Sequence, residues 1–107
     1  MSEDHCGSVI DDLRQLCDQA DRLVAMGRDR FEADEWLQLA SEALVLRLSE
    51  AASRLPHEFR AAHPEVPWRA IAATRILVAH QYHLVDHGIL WQGLAHGLDE
   101  LRAAVAG

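Results

Sequence analysis

The spacing of apolar residues along the chain predicts a protein built from helices. In the stretch "SVIDDLRQLCDQADRLVAM" apolar positions recur every three to four residues. Such spacing places them on one face of an amphipathic helix. The face contains Val9, Ile10, Leu13, Leu16, Cys17, Ala20, Leu23 and Val24. Ser8 is suited to cap this helix, and Gly27 stands where a helix commonly ends. Because β-branched residues are sparse, we expect no sheet.

A second, long helix is expected to follow directly. Asp29 and Glu32 have the spacing of a capping box, which predicts a helix start at this point. The pattern continues through "FEADEWLQLASEALVLRLSEAASRL" to about Leu55, and Pro56 ends it.

The remaining sequence predicts a corner and two further helices. Val66 precedes Pro67 and is therefore disfavoured in helical conformation, so "HEFRAAHPEVPW" predicts one short helical turn and an extended corner. Pro67 is suited to open the helix "WRAIAATRILVAHQYHLV". Asp86 is the predicted N-cap of a last helix, "HGILWQGLAHGLDELRAAV". Its predicted buried face consists of Ile89, Leu90, Leu94, Leu98 and Leu101. We therefore predict one domain, residues 1–107, folded as an all-α antiparallel bundle of four to five helices.

Charge and hydropathy restrict the functions that this bundle can have. The formal net charge is −7, and all ten basic residues are arginines. This balance disfavours a broad basic surface for nucleic acid, and we expect no DNA partner. A narrow cleft in which a few arginines hold a phosphate stays possible, because the guanidinium fork binds phosphate oxygens in a bidentate way. An acidic exterior is equally typical of an ordinary cytosolic protein.

Compartment and redox state follow from the same composition. No apolar run approaches the ~20 residues that a membrane span needs. The start, "MSEDHCGSV", is acidic and polar, unlike a secretory signal. We therefore expect a cytoplasmic protein that does not enter a membrane. Cys6 and Cys17 are expected to be reduced thiols, with Cys17 on the core face of the first helix.

The helix segment "RILVAHQYHLVD" carries polar residues that packing alone does not require. At about 100° per residue, Arg75, His80, Tyr82 and His83 share a broad face. Apolar residues fall on the other side of the helix: Leu77, Val78, Leu84 and Val85. A solvated surface is the ordinary explanation of such a face. However, the positions four residues from Arg75 are Ile and Ala. An arginine without a neighbouring acid, beside histidine and tyrosine, is typical of an anion site.

A straight helix does not let Arg75 and His80 hold the same phosphate. The two side chains point about 140° apart. Either the helix distorts near His80, or a second copy of the chain packs its own helix alongside. Two such faces related by a two-fold axis would form one composite cleft. We favour the homodimer.

The spacing of Arg75, His80 and Tyr82 is R-x4-H-x-Y, and its flanks are equally distinctive. They are "SEAASRLP", "HPEVPWRAIAATR" and "YHLVDHGILW". Together they resemble the HepT-like proteins of the HEPN superfamily, over residues 31–105. The resemblance implies an α-helical homodimer that acts as a ribonuclease toxin of a type VII toxin–antitoxin pair. Its expected partners are RNA, as the substrate, and a nucleotidyltransferase antitoxin of the MNT type.

The resemblance also assigns roles to the motif residues. Arg75 and His80 are expected to be catalytic, with no metal ion and no cofactor. Tyr82 is expected to accept AMP from the antitoxin, which silences the enzyme. His83 stands where the family has phenylalanine and is a candidate supporting residue. A histidine has a pKa near neutrality and can transfer protons, while an arginine can stabilise the charge that develops on phosphate.

Two other hypotheses follow from departures and spacings in the same segment. Ile76 replaces a residue that is usually polar in the family, which favours a catalytically weakened helical dimer that only binds the nucleotidyltransferase. A metal site is the second alternative, because His80, His83 and His87 would lie on one side of a continuous helix. RNA degradation in EDTA that His80→Ala abolishes would exclude both.

Overall fold

A computed structural model describes residues 2–80 and 85–106, without the side chains of residues 2–5, 76–77 and 79–80. Within these ranges the chain forms seven helices and no strand, which confirms the all-α fold. The helices are α1 (Ser2–Ala25), α2 (Arg28–Ala33), α3 (Glu35–Ser53), α4 (His57–Ala62), α5 (Trp68–His80), α6 (His87–His96) and α7 (Asp99–Ala106). The structure has more helices than the four to five predicted, because two of the predicted long helices are each interrupted.

The core lies where α3 meets α1, α5 and α6, and α7 closes it against α1. The predicted face of α1 is confirmed, with Leu13, Cys17 and Ala20 almost fully buried. Phe31, Leu48, Leu90, Trp91, Leu94 and Leu101 complete the centre of the core. In the described part of the chain, no helix has both the length and the apolar character of a membrane span.

The predicted start of the second helix is wrong, because the chain is broken at Asp34. The residue is extended (φ −123°, ψ 105°), and its carboxylate accepts hydrogen bonds from the backbone N–H groups of Trp36 and Leu37 at 2.9 and 3.4 Å. Asp34 therefore caps a new helix, α3. The predicted capping box is not formed, since α2 begins after Gly27 without a side-chain cap.

The ends of α1 correct one prediction and confirm another. This helix begins at Ser2, so Ser8 lies inside it and does not cap it. Gly27 follows its last turn with a φ of 95°, a left-handed conformation that favours glycine. The chain can therefore turn here from α1 into α2.

The C-terminal helix is divided at Gly97, and one of its predicted core residues faces outward. Leu90, Trp91 and Leu94 form the buried face of α6, whereas Ile89 is 59% exposed. Ile89 is one position before Leu90, and therefore about 100° away from it around the helix axis. The predicted cap is confirmed: Asp86 accepts hydrogen bonds from the N–H groups of Gly88 and Ile89.

Candidate functional site

The helix that carries the motif, α5, is anchored at its first turn. The indole N–H of Trp68 donates to the carbonyl oxygens of Arg60 and His63, at 3.1 and 2.9 Å. Its ring lies against Phe59, with centroids 6.4 Å apart. Trp68 therefore anchors this turn through both packing and hydrogen bonds. These contacts join the corner after α4 to the start of α5, and so determine where the motif begins.

Arg75 lies about two turns further along α5 and is exposed to solvent. Among the described residues, no carboxylate lies within ion-pair distance of its guanidinium. Several other arginines differ, because Arg14, Arg28, Arg54 and Arg102 each contact an aspartate or glutamate. In the described part of the chain, Arg75 therefore has no acid that would compete with an anionic ligand.

His80 is the last residue of α5, and its side chain lies outside the described part of the structure. The helix is continuous from Trp68 to His80, so the two motif residues lie on one regular helix. Positions 75 and 80 are therefore separated by about 140° around the helix axis. Tyr82 and His83 lie outside the described residues. Val85, the predicted end of this helix, is not helical.

Immediately after the motif, the chain is attached to α3 by a contact that the sequence does not indicate. The Nε2 atom of His87 lies 2.7 Å from a carboxylate oxygen of Glu42. The residues are 45 positions apart, and no motif or helical periodicity connects them. Only the tertiary packing of α6 on α3 reveals the pair.

The metal hypothesis requires His87 to share a helix side with His80 and His83. His87 instead begins a separate helix, α6, and faces Glu42. Among the side chains that the structure describes, no three histidine, cysteine, aspartate or glutamate residues lie close enough together to hold a metal ion. The continuous helix on which that hypothesis depends is therefore not formed.

The outer face of α3 exposes apolar side chains. Trp36 is 75% exposed and Leu39 is 52% exposed. They lie one turn apart, and Ala43 follows on the same side, also exposed. Trp36 is therefore not a core residue of this chain. We call Trp36, Leu39 and Ala43 the apolar stripe of α3.

Sequence comparison identifies the class to which this fold and motif belong. The profile "Ribonuclease HepT-like" matches residues 13–106, and the chain belongs to this HepT-like family. The match includes the whole of α5 and the motif.

The chain is also similar to individual relatives from archaea and bacteria. A probable ribonuclease HepT of Thermococcus cleftensis is 32% identical over 72 residues, which are 67% of this chain and 66% of the relative. A candidate RNase of Caldanaerobacter subterraneus subsp. tengcongensis is 32% identical over 85 residues, covering 79% and 76%. A candidate RNase of Methanocaldococcus jannaschii is 31% identical over 83 residues, covering 78% and 69%. No solved structure shows a significant match.

Proposed function

We propose that the protein is an endoribonuclease that cleaves RNA without a metal ion and works as a homodimer. The observation that carries this proposal is the exposed Arg75, without a described acidic partner, on the same helix as His80 in a member of the HepT-like family. The ribonuclease names of its relatives support the substrate class.

RNA supplies its own nucleophile, which reduces what the protein must provide. In the proposed reaction the ribose 2′-oxygen loses its proton to a base and attacks the adjacent phosphorus. The bond to the 5′-oxygen breaks, and that oxygen gains a proton. The products are a 2′,3′-cyclic phosphate and a 5′-hydroxyl. His80 is the proton-transfer group, and Arg75 holds the phosphate and stabilises its developing charge.

The proposed homodimer is supported by the positions of residues 75 and 80 around the axis of α5. Because one regular helix separates them by about 140°, a shared phosphate requires Arg75 of one protomer and His80 of the other. The apolar stripe of α3 supports self-association, since contiguous exposed apolar side chains often mark a protein interface.

Regulation is the third part of the proposal. A nucleotidyltransferase antitoxin of the MNT type is proposed to attach AMP to Tyr82, so that the pair forms a type VII toxin–antitoxin system. The added phosphate would place negative charge and bulk two residues after His80, where the RNA backbone must bind. Tyr82 is the only tyrosine in the 107 residues, so a modified tyrosine is assigned without ambiguity.

The cleavage proposal is tested with single-turnover RNA degradation in EDTA. Arg75→Ala and His80→Ala are each expected to slow cleavage by about 10²–10⁴-fold, the usual contribution of such groups. Arg69→Ala is the matched control, because Arg69 is another exposed arginine of α5. Its rate should stay within about twofold of wild type. Equal losses in the Arg69 and Arg75 variants, or cleavage that EDTA abolishes, would contradict the mechanism.

Mixing the two inactive variants tests the composite cleft. A heterodimer of Arg75→Ala and His80→Ala protomers contains one complete site only if the two residues act across the interface. Random mixing makes about half of the dimers heterodimers, so about a quarter of wild-type activity should return. No recovery, from variants that exchange protomers, would mean that the site is not shared.

The modification is tested by co-expression with a cognate nucleotidyltransferase. Trypsin should release residues 76–102 as one peptide, since no Arg or Lys precedes its C-terminal Arg102. This peptide should gain one or more AMP units, and Tyr82→Phe should prevent the gain. Modification with no cleavage by the unmodified protein would favour the second candidate, a weakened dimer that serves as a binding partner. Ile76, in place of the family's polar residue, favours that candidate.

A further inference from the structure

The chain that leaves the motif is fixed at three consecutive residues. Val85 packs against the core and is partly buried. The carboxylate of Asp86 accepts hydrogen bonds from the N–H groups of Gly88 and Ile89, at 2.9 and 3.3 Å. His87 then contacts Glu42 through its Nε2 atom at 2.7 Å. The first two contacts position the start of α6, and the third ties that start to α3.

The pair of His87 and Glu42 is more enclosed than an ordinary surface contact. Their side chains are 29% and 17% exposed. The described part of the chain contains a second pair of the same kind, His63 and Glu65, whose atoms are 3.3 Å apart and whose glutamate is 53% exposed. An ionised carboxylate only accepts hydrogen bonds, so Nε2 of His87 is the donor.

Aromatic packing restrains the same imidazole ring. The rings of His87 and Phe31 meet edge to face, with centroids 6.4 Å apart and an interplanar angle of 67°. Phe31 is 1% exposed and lies against Trp91. One side of the ring therefore faces the core, while its nitrogen reaches Glu42. The position of His87 is determined by both contacts together.

Two attachments to α3 flank the segment 79–84 in the sequence. On its N-terminal side, Val78 is 3% exposed in the core, where α5 packs on α3. On its C-terminal side, Glu42 of α3 holds His87. Residues 79–84, which include His80 and Tyr82, connect these two points. A change at Glu42 would therefore remove the second attachment without altering any motif residue.

We infer that Glu42 is a positioning residue, which acts through His87 to keep His80 and Tyr82 in register with Arg75. This inference rests on the proposed function, in which the motif is the active site. A displacement of about 1 Å in a catalytic group can cost about 100-fold in rate. Loss of the contact is therefore expected to lower kcat by about 10- to 100-fold. KM should change little, because Glu42 belongs to none of the groups that would hold the phosphate.

The variants are Glu42→Ala and His87→Phe, which keeps a ring against Phe31 but removes the hydrogen bond. Glu42→Gln retains an oxygen acceptor and should restore most of kcat. Glu65→Ala is the matched control, because it removes the exposed histidine–glutamate pair. If Glu42→Ala does not fold, as judged by circular dichroism, His87→Phe takes its place.

A second measurement does not depend on catalysis. Incorporation of 3-fluorotyrosine labels only Tyr82 and gives one ¹⁹F resonance. In Glu42→Ala and His87→Phe this resonance should shift or broaden, whereas in Glu65→Ala it should match wild type. An unchanged resonance in both test variants, or an equal change in the control, would overturn the inference. If no variant and no wild-type sample cuts RNA, the proposed function fails, while the resonance still decides the role of Glu42.

Discussion

Two glycines near the end of α6, four positions apart, should respond in opposite directions to the same substitution. A Cβ atom added to Gly93 would meet no atom within 4 Å. A Cβ atom added to Gly97 would lie 2.8 Å from the carbonyl oxygen of Gly93 and 3.3 Å from its Cα. The obstructing atoms belong to the backbone and cannot rotate away. The φ of Gly97 is −100°, which any residue can adopt, so the contact alone determines the cost.

Gly93→Ala should raise the free energy of unfolding by about 0.8–1.0 kcal/mol, the difference in helix propensity between the two residues. Gly97→Ala should lower it by about 1–3 kcal/mol, the usual cost of overpacking. The free energies of unfolding of the two variants should therefore differ by about 2–4 kcal/mol, which is well above the error of urea unfolding. In a domain of this size, 1 kcal/mol corresponds to a shift of about 4–8 °C in Tm.

The comparison requires one protein concentration throughout, because self-association would stabilise the folded state by mass action. Gly7→Ala is the control, since Gly7 also lies in a helix with no atom within 4 Å of the added Cβ. It should be stabilising, like Gly93→Ala. A Gly97→Ala protein as stable as Gly93→Ala would refute the reasoning, because the overlap with the Gly93 carbonyl would then cost nothing.

Three further predictions concern single side chains. Asp34→Ala should destabilise the protein by about 1 kcal/mol in urea unfolding, because it removes the cap of α3, whereas Asp34→Asn should keep most of that stability. Trp68→Phe should cost about 1–3 kcal/mol, because two carbonyl oxygens lose their donor, and a Tm equal to wild type would contradict this. Burial raises the pKa of the Cys17 thiol, and Asp21 and Asp18 add to the shift while Arg102 opposes it. Because the thiolate reacts, iodoacetamide at pH 8 should modify Cys6 well before Cys17, and urea should remove the difference.

Local sequence signals are sufficient for most of the helices but not for their interruptions. The face of α1, the turn at Gly27 and the cap at Asp86 depend on spacing and short-range hydrogen bonds, and all three are found. Asp34 is also a good cap, but it lies within a run of helix-forming residues. The competing signal at Asp29 therefore indicates an earlier start. Ile89 is misplaced because its apolar character alone assigned it to the core face, although it lies about 100° from Leu90 around the helix axis.

The residues of the candidate site also differ in whether local sequence signals reveal them. The sequence singles out Arg75 because the absence of an acid at helical spacing can be read from nearby positions. In the structure Arg75 is exposed, as a residue on a polar helix face should be. The register of His80 on the same helix follows from counting residues. Glu42 cannot be found in this way, since its partner is 45 positions away and the contact exists only after α6 has packed on α3. The roles of Arg75, His80, Tyr82 and His83 stay predictions.

The exposure of Trp36 gives the protein a built-in optical reporter. The chain has three tryptophans, of which Trp91 is enclosed in the core, Trp68 is half-buried and Trp36 is 75% exposed. Emission from an exposed indole lies at longer wavelength than emission from an enclosed one. If a second protomer covers α3, dilution should move the emission to the red as protomers separate, and acrylamide should quench it more strongly. Association can thus be followed at low concentration without attaching a dye, and Trp36→Phe should remove the signal.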